Sequence, residues 1–226
     1  MVRKLNIARW DTVLFDLDGV LVNNVTFDSE IENCFVENIS IRSSLSTENA
    51  RSIWDLYKAN QINNRFLYNW EYHARVFGFE TDFVRLIHRK AQSLLKPYPN
   101  ANDLLSALVG RRQAIVVTDA TRWVAEFKLK STGLYGLPHI IISQDEAESC
   151  KVESKFWSYV LQHAANFIYL ENRKDRIWKY HDFCKGPAVL VCQDEHLHRQ
   201  KGNSKNIPPN AFCVKSLQHV EFQESN

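Results

Sequence analysis

At 226 residues, 45% hydrophobic and 24% charged, with a formal net charge of +2, the chain suits one large globular domain or a core with a modest insert. So small a charge gives no argument for nucleic acid or a membrane surface as partner. No charged-then-apolar leader opens the sequence and no apolar run reaches bilayer length. Five irregularly spaced cysteines do not suggest a disulfide framework, so the expected setting is the cytoplasm with reduced thiols.

Residues 1–11 read as a polar lead-in, with Trp10 packing beside the first strand. That strand opens at Thr12-Val13-Leu14-Phe15, a short bounded apolar run of the kind a strand buried on both faces shows. It runs straight into Asp16-Leu17-Asp18-Gly19-Val20-Leu21. Gly19 permits the turn that must follow. Two carboxylates two positions apart at such a strand end can both face the crevice where open α/β sheets bind ligands.

From about Asp28 to Lys96 glycine and proline nearly vanish and apolar residues recur at helical spacing: Ile31, Phe35, Ile39; Ile53, Leu56, Tyr57; Phe66, Trp70, His73, Phe77; Phe83, Leu86, Ile87, Leu94. Ser46-Thr47 with Glu48, and Thr81-Asp82, are candidate helix starts. The segment reads as an insert of roughly four helices whose aromatic residues (Trp54, Tyr57, Phe66, Tyr68, Trp70, Tyr72) pack its interior. Asn63, Asn64 and Arg65 fall at a turn between helices, read first as a plain turn; Asn63 and Arg65 are candidate substrate contacts if the insert serves as a cap over a binding site.

Pro97-Tyr98-Pro99-Asn100 forms a stiff connector, and a helix follows over 101–109. Gln113-Ala114-Ile115-Val116-Val117-Thr118-Asp119 repeats the opening design of a buried strand ending in polar residues. Then come a helix at 122–131, a strand at 139–142, a helix at 154–165 and a strand at 167–170 that ends in Glu171-Asn172-Arg173-Lys174-Asp175. Strands at 188–192 and 211–214 complete the pattern, with 194–210 as a long loop. Strands alternating with helices imply a Rossmann-like, mostly parallel sheet flanked by helices, the α/β class, with right-handed crossovers. Cys192, His196, His198 and Cys213 match no structural zinc spacing.

The segment Asp16-Leu17-Asp18-Gly19-Val20-Leu21 resembles the first motif of the haloacid dehalogenase-like (HAD) superfamily, most of whose members are magnesium-dependent phosphohydrolases. The resemblance extends over most of the chain: Tyr98-Pro99-Asn100-Ala101 is similar to the family's return from cap to core. It implies an α/β core made of 1–22 and 97–226 and an inserted α-helical cap domain at 23–96. It assigns Asp16 as nucleophile and Asp18 as general acid and base; dehalogenases proper lack the second Asp, so Asp18 points to phosphoryl chemistry. Thr118 resembles the second motif, whose hydroxyl donates to a phosphate oxygen. Lys151 is in register with the third motif's lysine, with Lys155 as competitor and Trp157 in place of its aromatic. Gly19, Asp119 and Lys151 join Thr118 as candidate substrate-binding residues.

Two carboxylates facing a phosphate dianion repel it, so such a site calls for a cation, and Mg²⁺ prefers oxygen ligands. The resemblance places the metal on Asp16, Asp18, Glu171 and Asp175, with Asp175 the firmer ligand. The sequence departs from the family pattern at Asp119 (usually Asn), Val152 (usually Pro) and Leu170-Glu171 (usually Gly-Asp). The expected activity is hydrolysis of a small phosphorylated metabolite through an aspartyl-phosphate, with a sugar phosphomutase or a degenerate binding or regulatory protein as alternatives. The oligomeric state is left open.

Overall fold

The structure is a computed structural model; it describes residues 4–62, 64–193 and 207–223. Asn63, His196, His198 and most of the expected 194–210 loop therefore lie outside the described residues. The chain divides into two compact units, one formed by residues 24–95 and the other by the chain on either side of them.

The α/β unit is built on six strands: β2 (Thr12–Phe15), β5 (Gln113–Thr118), β6 (Ile140–Ser143), β7 (Phe167–Glu171), β8 (Ala188–Val191) and β9 (Ala211–Val214). They form one parallel sheet in the order β6-β5-β2-β7-β8-β9. The opening strand is thus central, with Thr12 paired to Gln113 on one side and to Phe167 on the other. All four of its residues are buried, as a strand covered on both faces requires. The helices between strands are α5 (Ala101–Leu108), α6 (Arg122–Ser131), α7 (Ser154–Val160) and α8 (Lys174–Cys184). Side-chain alternation brings Leu14, Ile115, Val117 and Tyr169 into one apolar cluster with Phe156, Trp157 and Val160 of α7 and Ile177 and Tyr180 of α8.

In this unit three features differ from the sequence reading. The lead-in is not simply polar: β1 (Leu5–Asn6) pairs in parallel with β10 (Val220–Glu221), and Ile7 and Trp10 are buried. The connector after the insert is partly extended, because β4 (Lys96–Pro97) pairs with β3 (Val22–Asn23). Helix α7 stops at Val160, short of the expected Ala165, and the chain reaches β7 through turns and Asn166, whose φ is 43°.

The other unit carries α1 (Val25–Ser43), α2 (Thr47–Ala59), α3 (Trp70–Val76) and α4 (Thr81–Ala91). Helix α2 begins where the capping signal put it: the Ser46 hydroxyl accepts from the Asn49 amide at 3.2 Å. Phe35, Trp54, Trp70 and His73 make the interior, with Trp54 and Trp70 stacked at 6.4 Å and 8°. Ile53, Leu56 and Leu86, expected on inward stripes, are exposed. Trp54 and Ile87, both expected inside, are buried, and Val84 joins Ile87 on the inward face of α4.

Candidate active site

The site is assembled where three neighbouring strands end: β2 delivers Asp16, β5 delivers Thr118 and β7 delivers Glu171. In a parallel sheet all these tips point the same way, so the side chains following them share one crevice. Asp16 is buried, and its Oδ1 accepts from the Leu17 amide at 2.8 Å and from Lys151 Nζ at 2.7 Å. The same ammonium donates to Glu171 Oε2 at 2.9 Å. Glu171 is fully buried; Tyr169 donates its phenol proton to Oε2, while the amides of Asn172 and Arg173 donate to Oε1 at 2.9 and 3.0 Å.

This crowding divides the two acids electrostatically. Burial, and then the adjacent Glu171 charge, raise the Asp16 carboxyl well above the ordinary carboxylate range, and Lys151 only partly offsets them. Burial also pushes Glu171 upward, but the Lys151 charge and hydrogen bonds with Asp16 and Tyr169 bring it down to about 2. Lys151 itself is held above its ordinary value, because Asp16 and Glu171 outweigh its burial.

Thr118 accepts a hydrogen bond at Oγ1 from the Ala120 amide at 3.1 Å, which leaves its own hydroxyl proton to donate. Asp119 is held by its neighbours: Oδ1 accepts from the Lys151 amide at 2.7 Å and Oδ2 faces buried Arg176 at 2.9 Å. The extra carboxylate at 119 is therefore paired internally. The aromatic spacing after Lys151 also acquires a physical reason, since the Trp157 indole donates to the Lys151 carbonyl at 2.9 Å. Lys155, the competing lysine, is an exposed partner of Glu148.

The predicted metal ligands are not brought together as a set. Asp18 accepts at Oδ1 from Lys128 Nζ at 2.8 Å. Asp175, in the first turn of α8, is exposed and has both oxygens engaged by Arg173 at 3.2 and 2.8 Å. Among the described residues no group of three or more His, Cys, Asp or Glu side chains gathers as a metal centre would. Of the other expected contacts, Arg65 lies in the helical unit with its guanidinium 4.7 Å from the Phe66 ring.

A model of the haloacid dehalogenase-like hydrolases matches residues 10–167, more than half of the chain. The chain belongs to this family. No curated protein sequence matches it. Among solved structures, a HAD phosphatase from Thermococcus onnurineus superposes with a TM-score of 0.78 at 17% identity, covering 92% of this chain and 94% of its own. An L-2-haloacid dehalogenase from Xanthobacter autotrophicus gives 0.59 at 13% identity, covering 92% and 95%. The HAD-hydrolase YfnB from Bacillus subtilis, described as bound to magnesium, gives 0.59 at 16% identity, covering 93% and 96%. At these identities the likeness concerns the fold.

Within this HAD-like core two residues go beyond the sequence reading. Lys128 is one, a lysine in the middle of a helix with nothing in the sequence to separate it from a surface residue. Asn172 is the other. Its amide lies flush against Gly19, where an added Cβ would come within 1.8 Å of Nδ2, and its buried Oδ1 has no hydrogen-bond partner. Gly19 is thus required twice, for this close approach and for its φ of 81°.

Proposed function

We propose that this HAD-like hydrolase cleaves a phosphomonoester of a small metabolite, with Asp16 as nucleophile. The observation that carries the reading is the buried Asp16–Lys151–Glu171 network at the strand tips. An Asp16 oxygen attacks phosphorus and the bond to the leaving oxygen breaks, giving an aspartyl-phosphate. Lys151 and the Thr118 hydroxyl face the phosphoryl oxygens, on which charge is spread. Asp18 protonates the departing oxygen and then takes a proton from the water that cleaves the intermediate, returning Asp16 and inorganic phosphate.

Asp18 favours phosphoryl over carbon–halogen chemistry on physical grounds. A departing alkoxide needs a proton, whereas a departing halide does not, so an acid two residues from the nucleophile has work only in the first case.

Mg²⁺ fits this site in a sparser form than the motif expectation. The ion commonly binds through one or two carboxylates plus waters and substrate phosphate. Here the Asp16 carboxylate and the unpartnered Asn172 Oδ1 beside the Asp16–Gly19 turn are the oxygens that would hold it. When bound, the ion supplies positive charge that keeps Asp16 ionised and offsets the phosphate.

The test is phosphate release from 4-nitrophenyl phosphate and a panel of phosphorylated metabolites, with Mg²⁺ and with EDTA. Turnover with Mg²⁺ that disappears in Asp16→Asn, while the circular dichroism spectrum is unchanged, is the expected result. Full activity in that variant would remove Asp16 as nucleophile, and halide release from a haloacid without phosphatase activity would overturn the substrate class.

A further inference from the structure

We propose that Lys128 is a positioning residue for Asp18, fixing the carboxylate that carries the proton in the reaction; the inference rests on the phosphohydrolase reading above. Helix α6 turns Val124, Ala125, Lys128 and Leu129 inward, the i, i+1, i+4, i+5 spacing of an apolar stripe. A leucine would complete that stripe at no electrostatic cost, whereas an ammonium taken out of water is expensive unless it is paired. Lys128 is only 2% exposed, and its Nζ donates to Asp18 Oδ1 at 2.8 Å, joining residues 110 apart in sequence. Lys130, two residues on, shows the ordinary alternative: it is exposed and pairs with Glu126 on the same helix.

The geometry gives this pair a division of labour. A carboxyl group presents one oxygen as acceptor whether or not the other carries a proton. With Oδ1 held by Lys128, the carboxyl plane of Asp18 is fixed in both states, and Oδ2 is the oxygen left to give up and take back the travelling proton. Asp18 is otherwise loosely held: its side chain is 26% exposed, and among the described residues no other side chain donates to it. Asp16 differs in being packed on every side and gripped by both its neighbour's amide and Lys151. A loosely held acid gains most from an anchor, because proton transfer demands placement within hydrogen-bond reach of the reacting oxygen.

Leaving-group dependence separates positioning from mere structural support. In kcat/KM, which reports formation of the aspartyl-phosphate, an alkyl phosphate needs a proton on its departing oxygen and 4-nitrophenyl phosphate does not. Lys128→Met is expected to lower kcat/KM about 10²-fold on the alkyl phosphate, the low end of general-acid contributions, and by far less on the nitrophenyl ester. Lys128→Arg, which keeps charge and reach, should recover much of the loss. In an Asp18→Asn background Lys128→Met should add nothing. Equal losses on both esters, no recovery with arginine, or additive losses in the double variant would each overturn the proposal. If Lys128→Met does not fold, Lys128→Gln, which keeps a polar side chain but removes the charge, carries the same two-ester comparison, and equal losses there count against it. A wild-type protein inert toward both esters would instead bring down the phosphohydrolase reading itself.

Discussion

Lys151 concentrates more of the site than any other side chain, and its replacement should show it. Removing one partner of a buried ion pair leaves its charges uncompensated, which typically costs about 3–5 kcal/mol. Lys151→Met should therefore lose both activity and several kcal/mol in urea unfolding, with Asp16 and Glu171 left facing each other. Lys155→Met, at an exposed pair with Glu148, should change stability by less than about 0.5 kcal/mol. A second residue-scale prediction concerns His73 in the helical unit. Its ring accepts from the Tyr57 hydroxyl at Nδ1 (2.7 Å) and donates from Nε2 to the Leu67 carbonyl at 2.9 Å. Burial, and then the nearby Lys58 charge, lower its pKa from the ordinary 6.5 to about 4. Between those values the unfolded chain binds a proton that the folded one refuses, so the contribution is complete above pH 6.5 and is lost as pH falls toward 4. At about 1.4 kcal/mol per pH unit the loss is roughly 3 kcal/mol. Urea unfolding of wild type and His73→Gln across that range should show the excess acid sensitivity in the wild type alone. As to legibility, Asp16, Thr118 and Glu171 could be read from sequence because each closes an apolar strand. Lys128 could not, because a lysine among helical residues looks like a surface residue until its partner arrives from 110 positions away. For the two acids at and beyond the end of β7, the motif spacing favours Asp175 whereas burial favours Glu171: Glu171 ends a covered strand, while Asp175 sits in an exposed helical first turn.

At the scale of elements, caps and connectors decide where the regular structure stops. The α2 start rests on one side-chain hydrogen bond, so Ser46→Ala should cost about 1 kcal/mol, read as a lower thermal midpoint of the helical signal. That start was legible because a capping residue has a local signature. The inward faces of α2 and α4 were less so: periodicity counts apolar residues, and Ile53, Leu56 and Leu86 have the right spacing yet lie on the exposed side. The paired dipeptides β1 with β10 and β3 with β4 left no trace in the sequence, since two residues carry no period and their pairing is set by distant chain.

For the molecule as a whole, alternation of strands and helices was enough to give the parallel α/β sheet, but not its order. Placing β2 in the middle makes its tip the meeting point of side chains from β5 and β7, and that placement turns scattered motifs into one site. The same placement has a price in time. Strand β2 spans Thr12–Phe15, yet its flanking strands begin at Gln113 and Phe167. During translation, this apolar segment must wait until the residues from Phe167 onward have been made before both its edges are covered. A nascent chain halted before β7 would expose that segment to aggregation or chaperone capture, and its Lys151 would still lack Glu171, so the buried network closes only once β7 has been made.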